Sequence, residues 1–259
     1  MIAPDFTDVT ELPAAPISRA QLERLVQRYV WAAGRCAGKD VLDVACGAGA
    51  GLGMFLARAR SVVAGDIDET ILSVARGHYG DRVQLRRCDA QELPFADASF
   101  DVVVMFEALY YLAAPQRFVA ESRRVLRPGG EVLLCTANKS LLGFTPSPHS
   151  VAYHDPPELA ALFAAAGFNM TFLGGAPVAE AGLRRRALAP VKALAGKLGL
   201  MPGTMAGKER LRRLVFGKLA PMPAELRGDE APYVAPVPIP ADRPDTAYQV
   251  LYCVATPVG

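Results

Sequence analysis

Residues 41–51 read VLDVACGAGAG. Val41, Leu42 and Val44 give the apolar run of a short buried strand, and Cys46-Gly47-Ala48-Gly49-Ala50-Gly51 is a glycine-rich turn that ends it. Positions without side chains let a ligand come close to the backbone, and the helix expected from about Gly51 to Ala59 begins with unpaired N–H groups. Asp43 stands at the end of that strand. The unit is strand, turn, helix.

The same theme continues downstream. Strand Ser61 to Ala64 stops at Gly65-Asp66-Ile67-Asp68, a helix follows from about Glu69 to Tyr79, and Val83 to Arg86 is a third strand ahead of Cys88-Asp89-Ala90. Asp101 to Phe106 is an apolar run of the kind that fills a central parallel strand buried on both faces. Phe118, Val119, Ser122, Val125 and Leu126 recur at helical spacing, Arg127-Pro128-Gly129-Gly130 breaks that helix, and Glu131 to Thr136 is the next strand. Asp155-Pro156-Pro157-Glu158 opens a later helix, with Asp as cap and Pro in the first turn. Upstream, Ser18 and Gln21 form a capping box before Leu22, Leu25, Val26, Tyr29 and Val30. Residues 1–16 are Pro-rich and without pattern. Strands alternating with helices predict an α/β, Rossmann-like doubly wound sheet of about seven strands, mostly parallel. Phe168 to Leu173 and Tyr248 to Ala255 are its expected last two strands, the final one antiparallel.

Between those two strands the charge is segregated. From Arg184 to Lys218 there are ten Lys or Arg and one acid, Glu209, a local charge of +9 in a chain whose net charge is +2. Two basic amphipathic helices around Met201-Pro202-Gly203 are predicted, within a basic helical lobe over 175–245. The predicted organisation is a core over 1–174, that lobe, and a last core strand over 246–259. The near balance of 28 basic and 26 acidic residues excludes a polyanionic tail or a uniformly basic nucleic-acid coat. The basic stretch lacks interleaved aromatics beyond Phe216, which argues against RNA. With 51% apolar residues over 259 positions, the chain can bury a large core. Its five cysteines contain no C-x-x-C pair, so neither a zinc knuckle nor a disulfide framework is indicated and a cytoplasmic setting is expected. No uncharged apolar run reaches the roughly 18 residues of a membrane span.

In an open α/β sheet, ligands bind beyond the carboxyl ends of the strands where the strand order reverses. Three such ends carry an acid here: Asp43 before the glycine turn, Asp66, and Asp89. A carboxylate at the second can accept both hydroxyls of a ribose, and Cys88-Asp89-Ala90 suits the amino group of an adenine. The dinucleotide fingerprint G-x-G-x-x-G fails, since the third glycine falls at Leu52 counting from Gly47 and at Met54 counting from Gly49.

VLDVACGAGAG (41–51), GDID (65–68), CDAQELPFADASFDVVVMFEALYYL (88–112) and RVLRPGGEVLL (124–134) together resemble the successive motifs of class I S-adenosylmethionine-dependent methyltransferases, of the small-molecule type grouped with the ubiquinone and menaquinone C-methyltransferases. The resemblance covers roughly 18–175. It implies S-adenosyl-L-methionine as cofactor, with Asp43 and the backbone from Ala45 through Cys46, Gly47 and Gly49 at the methionine moiety. It also implies Asp66 at the ribose, Ile67 at an adenine face, Asp89 and Ala90 at the adenine edge, and Phe106 and Glu107 bordering the methyl group. Ala45 stands where the family has its first motif glycine. ISRAQLERLVQRYVWAAG with the tail RLVFGKLAPMPAEL is further similar to methyltransferases of polysaccharide and glycoconjugate synthesis.

Methyl transfer is an in-line displacement that needs alignment and desolvation rather than a metal. An oxygen or nitrogen acceptor must lose a proton, and His149 and His154, flanking the loop Thr145 to Asp155, are the expected bases, with Tyr111 as a further candidate. Glu107, Tyr110 and Tyr153 lie in the same region, and adjacent Tyr110 and Tyr111 are expected to point apart. The expected partner is a small-molecule acceptor, phosphorylated or lipid-linked if the basic stretch attracts it, with peripheral membrane contact as one reading of that stretch and a solvated face as another. A saccharide or glycoconjugate hydroxyl or amine is the leading acceptor and a quinone or isoprenoid-ring carbon the second. A non-catalytic protein that keeps the nucleoside site is the competing class.

Overall fold

The inner strands of the main sheet alternate their side chains between two buried clusters, and this alternation builds the core. The structure is a computed structural model that describes residues 6–178 and 219–258. Its elements in chain order are β1 (Pro16–Ser18), α1 (Arg19–Arg35), β2 (Asp40–Val44), α2 (Leu52–Leu56), β3 (Ser61–Asp66), α3 (Glu69–Tyr79), β4 (Gln84–Arg87), β5 (Phe100–Phe106), α4 (Pro115–Val125), β6 (Leu126–Ala137), α5 (Pro156–Ala164), β7 (Phe168–Pro177), β8 (Leu219–Pro221), β9 (Val237–Ile239) and β10 (Tyr248–Pro257). Eight strands form one sheet in the order β4-β3-β2-β5-β6-β10-β7-β9. β4, β3, β2, β5 and β6 run parallel, and β10 is antiparallel to both β6 and β7. On β5, Val102, Val104 and Phe106 enter the cluster shared with α1, α2 and α3, while Val103 and Met105 face Phe118 and Val119 of α4 and Leu159 and Phe163 of α5.

The caps follow the sequence. Ser18 and Gln21 close a reciprocal capping box on α1, and Asp155 and Glu158 close one on α5. Other elements depart from expectation. The helix after the glycine turn is short, Leu52–Leu56. Residues Arg127 to Gly130 do not separate helix from strand: β6 begins at Leu126 and carries them, with Gly129 at φ +78 and a shift in the β5–β6 register between Phe100 and Val102. Only a residue without Cβ takes that φ cheaply, so the glycine bends the strand instead of ending it.

The sheet has one strand more than the sequence reading counts. β9 lies in the Pro-rich stretch and pairs with Phe172 to Gly174 of β7 at the sheet edge, where a proline that cannot donate is tolerated. The predicted basic helices fall within 179–218 and lie outside the described residues. β8, which follows them, pairs with β1 in a separate two-stranded ribbon. From there Met222 and Leu226 are buried in the cluster around α1 and α2, and the Leu226 N–H donates to the Ala50 carbonyl at 2.7 Å, bracing the turn that precedes α2. Among the described residues no helix is long and apolar enough to cross a membrane.

Candidate active site

Strand order reverses between β2 and β5, so the crevice beyond their carboxyl ends is the natural ligand site. Asp43 is buried near the end of β2, and its Oδ2 has no hydrogen-bond partner among the described residues. Burial, and then the neighbouring charge of Asp66, push its carboxyl well above the usual carboxylate range. An orphaned buried carboxylate oxygen is expensive, and it persists where a ligand completes it.

Asp66, the last residue of β3, is held against the glycine turn: its Oδ2 accepts the Gly47 N–H at 2.9 Å and its Oδ1 accepts the Asp68 N–H at 2.9 Å. Burial raises its carboxyl, and those N–H groups draw it part of the way back. The turn is left-handed at Ala45 (φ +58), Gly47 (φ +58) and Gly49 (φ +80). A Cβ on Gly49 would sit 3.0 Å from both Leu52 and Tyr79, and the Tyr79 hydroxyl donates to the Gly49 carbonyl at 2.8 Å. Ala45 takes the strained backbone without being glycine, at a cost on the order of 1 kcal/mol.

Cys88 lies between the second and third acids. Its N–H donates to the Asp66 carbonyl at 3.0 Å, and its thiol is pushed up to about 11 by burial, then by Asp66 and Asp89. The Asp89 carboxylate accepts the Gln91 backbone N–H at 2.8 Å and the Gln91 amide at 3.2 Å. Ala90 is buried and Ile67 is 39% exposed. The Cys46 thiol is raised by burial, then by Asp43 and Asp66, which makes it a neutral filler rather than a nucleophile.

Beyond β5 an aromatic cluster lines the other side. Phe106 packs edge-on against Tyr29 of α1, with ring centroids 5.3 Å apart. The sequence rule that Tyr110 and Tyr111 point apart does not decide their roles, because the loop after β6 folds over both. Tyr110 stacks on Tyr153 at 4.1 Å, and the Tyr111 hydroxyl shares a 2.7 Å hydrogen bond with Ser147. His149 sits at φ +65 with its Nε2 3.4 Å from Asp8. Burial lowers the His154 imidazole, which keeps it neutral near pH 7.

Two features had no signal in the sequence. Residues 6–11, which carry no periodicity, lie across the site: the Phe6 N–H donates to Asp68 at 3.3 Å while its ring meets Tyr111 at 5.2 Å, and a Cβ on Gly47 would be 3.3 Å from the Thr10 methyl. Arg28 of α1 is buried with its Nη2 3.4 Å from Glu107.

A Rossmann-like sheet with an acid at the end of β2, a left-handed glycine turn and a second acid gripping that turn defines a nucleoside-binding α/β enzyme fold. Residues 42–134 match the family model described as a methyltransferase domain. The chain is 39% identical over 148 residues, 55% of its length, to a protein of Mycolicibacterium smegmatis named "Probable S-adenosylmethionine-dependent methyltransferase". It is 39% identical over 101 residues, 38% of its length, to the demethylmenaquinone methyltransferase of Clavibacter sepedonicus. These matches span 56% and 41% of the two relatives, so the chain covers about half the length of the curated proteins it resembles. In fold it superposes on the YcgJ protein of Bacillus subtilis with a TM-score of 0.57, at 17% identity over 91% of this chain and all of that one. Residues 42–134 are thus similar to a methyltransferase domain, and the cofactor named for the relative that shares this region is S-adenosylmethionine. The residues present fit it: an unpartnered buried carboxylate, a backbone cradle closed to a Cβ at Gly49, and an acid on the turn.

Proposed function

We propose that this chain transfers the methyl group of S-adenosylmethionine to a small-molecule acceptor, with a saccharide or glycoconjugate hydroxyl or amine as the acceptor class. One observation carries the reading: the partnerless Oδ2 of Asp43, buried beside Asp66 at the point where strand order reverses. In this reading Asp43 and the backbone from Ala45 to Gly49 hold the methionine moiety, with Cys46 as filler. Asp66 takes the ribose, Ile67 covers an adenine face, Asp89 and Ala90 meet the adenine edge, and Phe106 borders the methyl group. Tyr111, His149 and His154 line the acceptor side. The cofactor supplies an electrophilic methyl on a sulfonium; the chain aligns the acceptor and excludes water.

The basic stretch 184–218 supports an acceptor that is phosphorylated or lipid-linked, met by a cytoplasmic protein at the surface of an anionic membrane. The likeness to a demethylmenaquinone methyltransferase favours a second reading, a quinone-ring carbon. Incubating the protein with methyl-labelled S-adenosylmethionine and a lipid-linked saccharide fraction or demethylmenaquinone separates the two. Label in the saccharide fraction supports the leading reading, label only in the quinone replaces it, and label in neither, with the cofactor bound, favours the non-catalytic binding protein.

A further inference from the structure

Tyr79 is the last residue of α3 and is 2% exposed, and its hydroxyl ends at the glycine turn between β2 and α2. There it makes two hydrogen bonds, donating to the Gly49 carbonyl at 2.8 Å and accepting the Gly53 N–H at 3.2 Å. The second bond does what the local sequence cannot. Gly51 caps α2 without a side chain, so the first N–H groups of this five-residue helix need partners from elsewhere. The first bond fixes the carbonyl of a residue at φ +80, where an added Cβ would lie 3.0 Å from the Tyr79 ring. Burial, then the charge of Glu225, raise the Tyr79 hydroxyl, so it keeps the proton that it donates.

Tyr79 is itself clamped. His78 meets its ring edge-on at 4.7 Å, and the Arg82 guanidinium lies over it, 4.9 Å from the centroid. Glu225 grips both: His78 Nε2 is 2.7 Å from its Oε2, and Arg82 donates to its two oxygens at 2.7 and 3.0 Å. An added Cβ at Gly53 would collide with that carboxylate, and the neighbouring Leu226 N–H donates to the Ala50 carbonyl. Gly49, Ala50 and Gly53 are thus tied to residues far away in the sequence.

We propose that Tyr79 is a positioning residue for the cofactor: its hydroxyl sets the glycine turn in the shape that receives the methionine moiety, and the Glu225 clasp on His78 and Arg82 holds its ring in place. The inference rests on the methyltransferase reading and adds to it a residue outside the four sequence motifs. Tyr79 acts through Gly49 and Gly53 rather than by touching the reacting atoms.

The test compares two nucleosides and needs no knowledge of the acceptor. S-adenosylhomocysteine carries the amino-acid moiety; 5′-methylthioadenosine keeps the adenine, ribose and thioether and lacks it. Calorimetry of wild type should show S-adenosylhomocysteine bound more tightly. Tyr79→Phe removes one oxygen and should weaken S-adenosylhomocysteine about tenfold, the scale of a buried hydrogen bond whose partners are left unpaired, while 5′-methylthioadenosine stays within about twofold. Loss of packing or of folded protein would weaken both alike. Arg82→Met takes the cation from the ring and a partner from Glu225, and should shift the same ratio in the same direction by about threefold, the scale of one cation over an aromatic face. Thermal melts check that the variants fold, and Arg82→Met serves if Tyr79→Phe does not. An unchanged ratio in the variants that fold overturns the proposal, as does equal loss of both nucleosides. Wild type that binds 5′-methylthioadenosine as tightly as S-adenosylhomocysteine overturns it too, because the turn then holds no amino-acid moiety. If wild type binds neither, the methyltransferase reading falls and the proposal with it.

Discussion

Strand β2 carries a carboxylate at each end of its sheet edge, and the two are treated oppositely. Asp40, at the start, accepts from Arg60, Ser61 and Arg127, and those hydrogen bonds, Arg60 foremost, hold it well below the usual carboxylate range. Asp43, three residues on, has a bare Oδ2, and burial raises it. β5 repeats the contrast. Asp101 near its start is partly buried, but the Asp40 N–H and Arg127 keep it low, whereas burial raises Glu107 past its end, Arg28 notwithstanding. In β6, Glu131 is closed by Arg35 at 2.7 Å and Lys39 at 3.1 Å. One end of the sheet is a satisfied ionic seam that helps hold the parallel strands together. At the other end burial raises the carboxyls of Asp43, Asp66 and Glu107, and Asp43 Oδ2 has no partner among the described residues.

A pair of variants breaks this contrast most sharply. Asp43→Asn should lower affinity for S-adenosylhomocysteine about a hundredfold, the scale of losing a buried charged hydrogen-bond partner, yet raise the melting temperature of the ligand-free protein by about 2–4 °C as the orphaned charge disappears. Arg127→Met, at the other end, should do the reverse. It strips one shared partner from Asp40 and Asp101, and should lower the melting temperature by about 2–4 °C with S-adenosylhomocysteine affinity unchanged. Differential scanning calorimetry and titration on the same samples read both.

pH sharpens the comparison with a smaller effect. Asp43 and Asp66 have raised folded values, so the stability they contribute is complete below the ordinary carboxylate value of about 4 and is lost as pH rises through the raised ones. Asp40 and Asp101 have lowered values, so their contribution is present above about 4 and is lost as pH falls through the lowered ones. The ligand-free protein should therefore lose melting temperature as pH rises from about 4 toward neutrality, and Asp43→Asn should lessen that loss. Melting curves across pH 4 to 8 check it.

Much of this was legible because local rules and global fold agree. The glycine turn at 46–51, the acids Asp43, Asp66 and Asp89 at strand ends, and the two capping boxes are short-range signals with one structural meaning each. What escaped depends on distant partners or on backbone angles. β9 is three residues long with a central proline, and only its pairing with β7 makes it a strand. Residues 6–11 take their course from Asp68, Gly47 and Tyr111, not from their own pattern. The ion pair of Glu107 rests on a positive φ and on an arginine 79 positions earlier, neither of which spacing reveals.

The central claim is that Asp43 Oδ2, at one end of the sheet, is completed by an adenosyl nucleoside. Calorimetric titration of the wild-type chain with S-adenosylhomocysteine tests it most directly, with NADH as the control. The account predicts one site per chain filled at micromolar concentration and no heat from NADH; an S-adenosylhomocysteine titration that stays flat to millimolar concentration would contradict it.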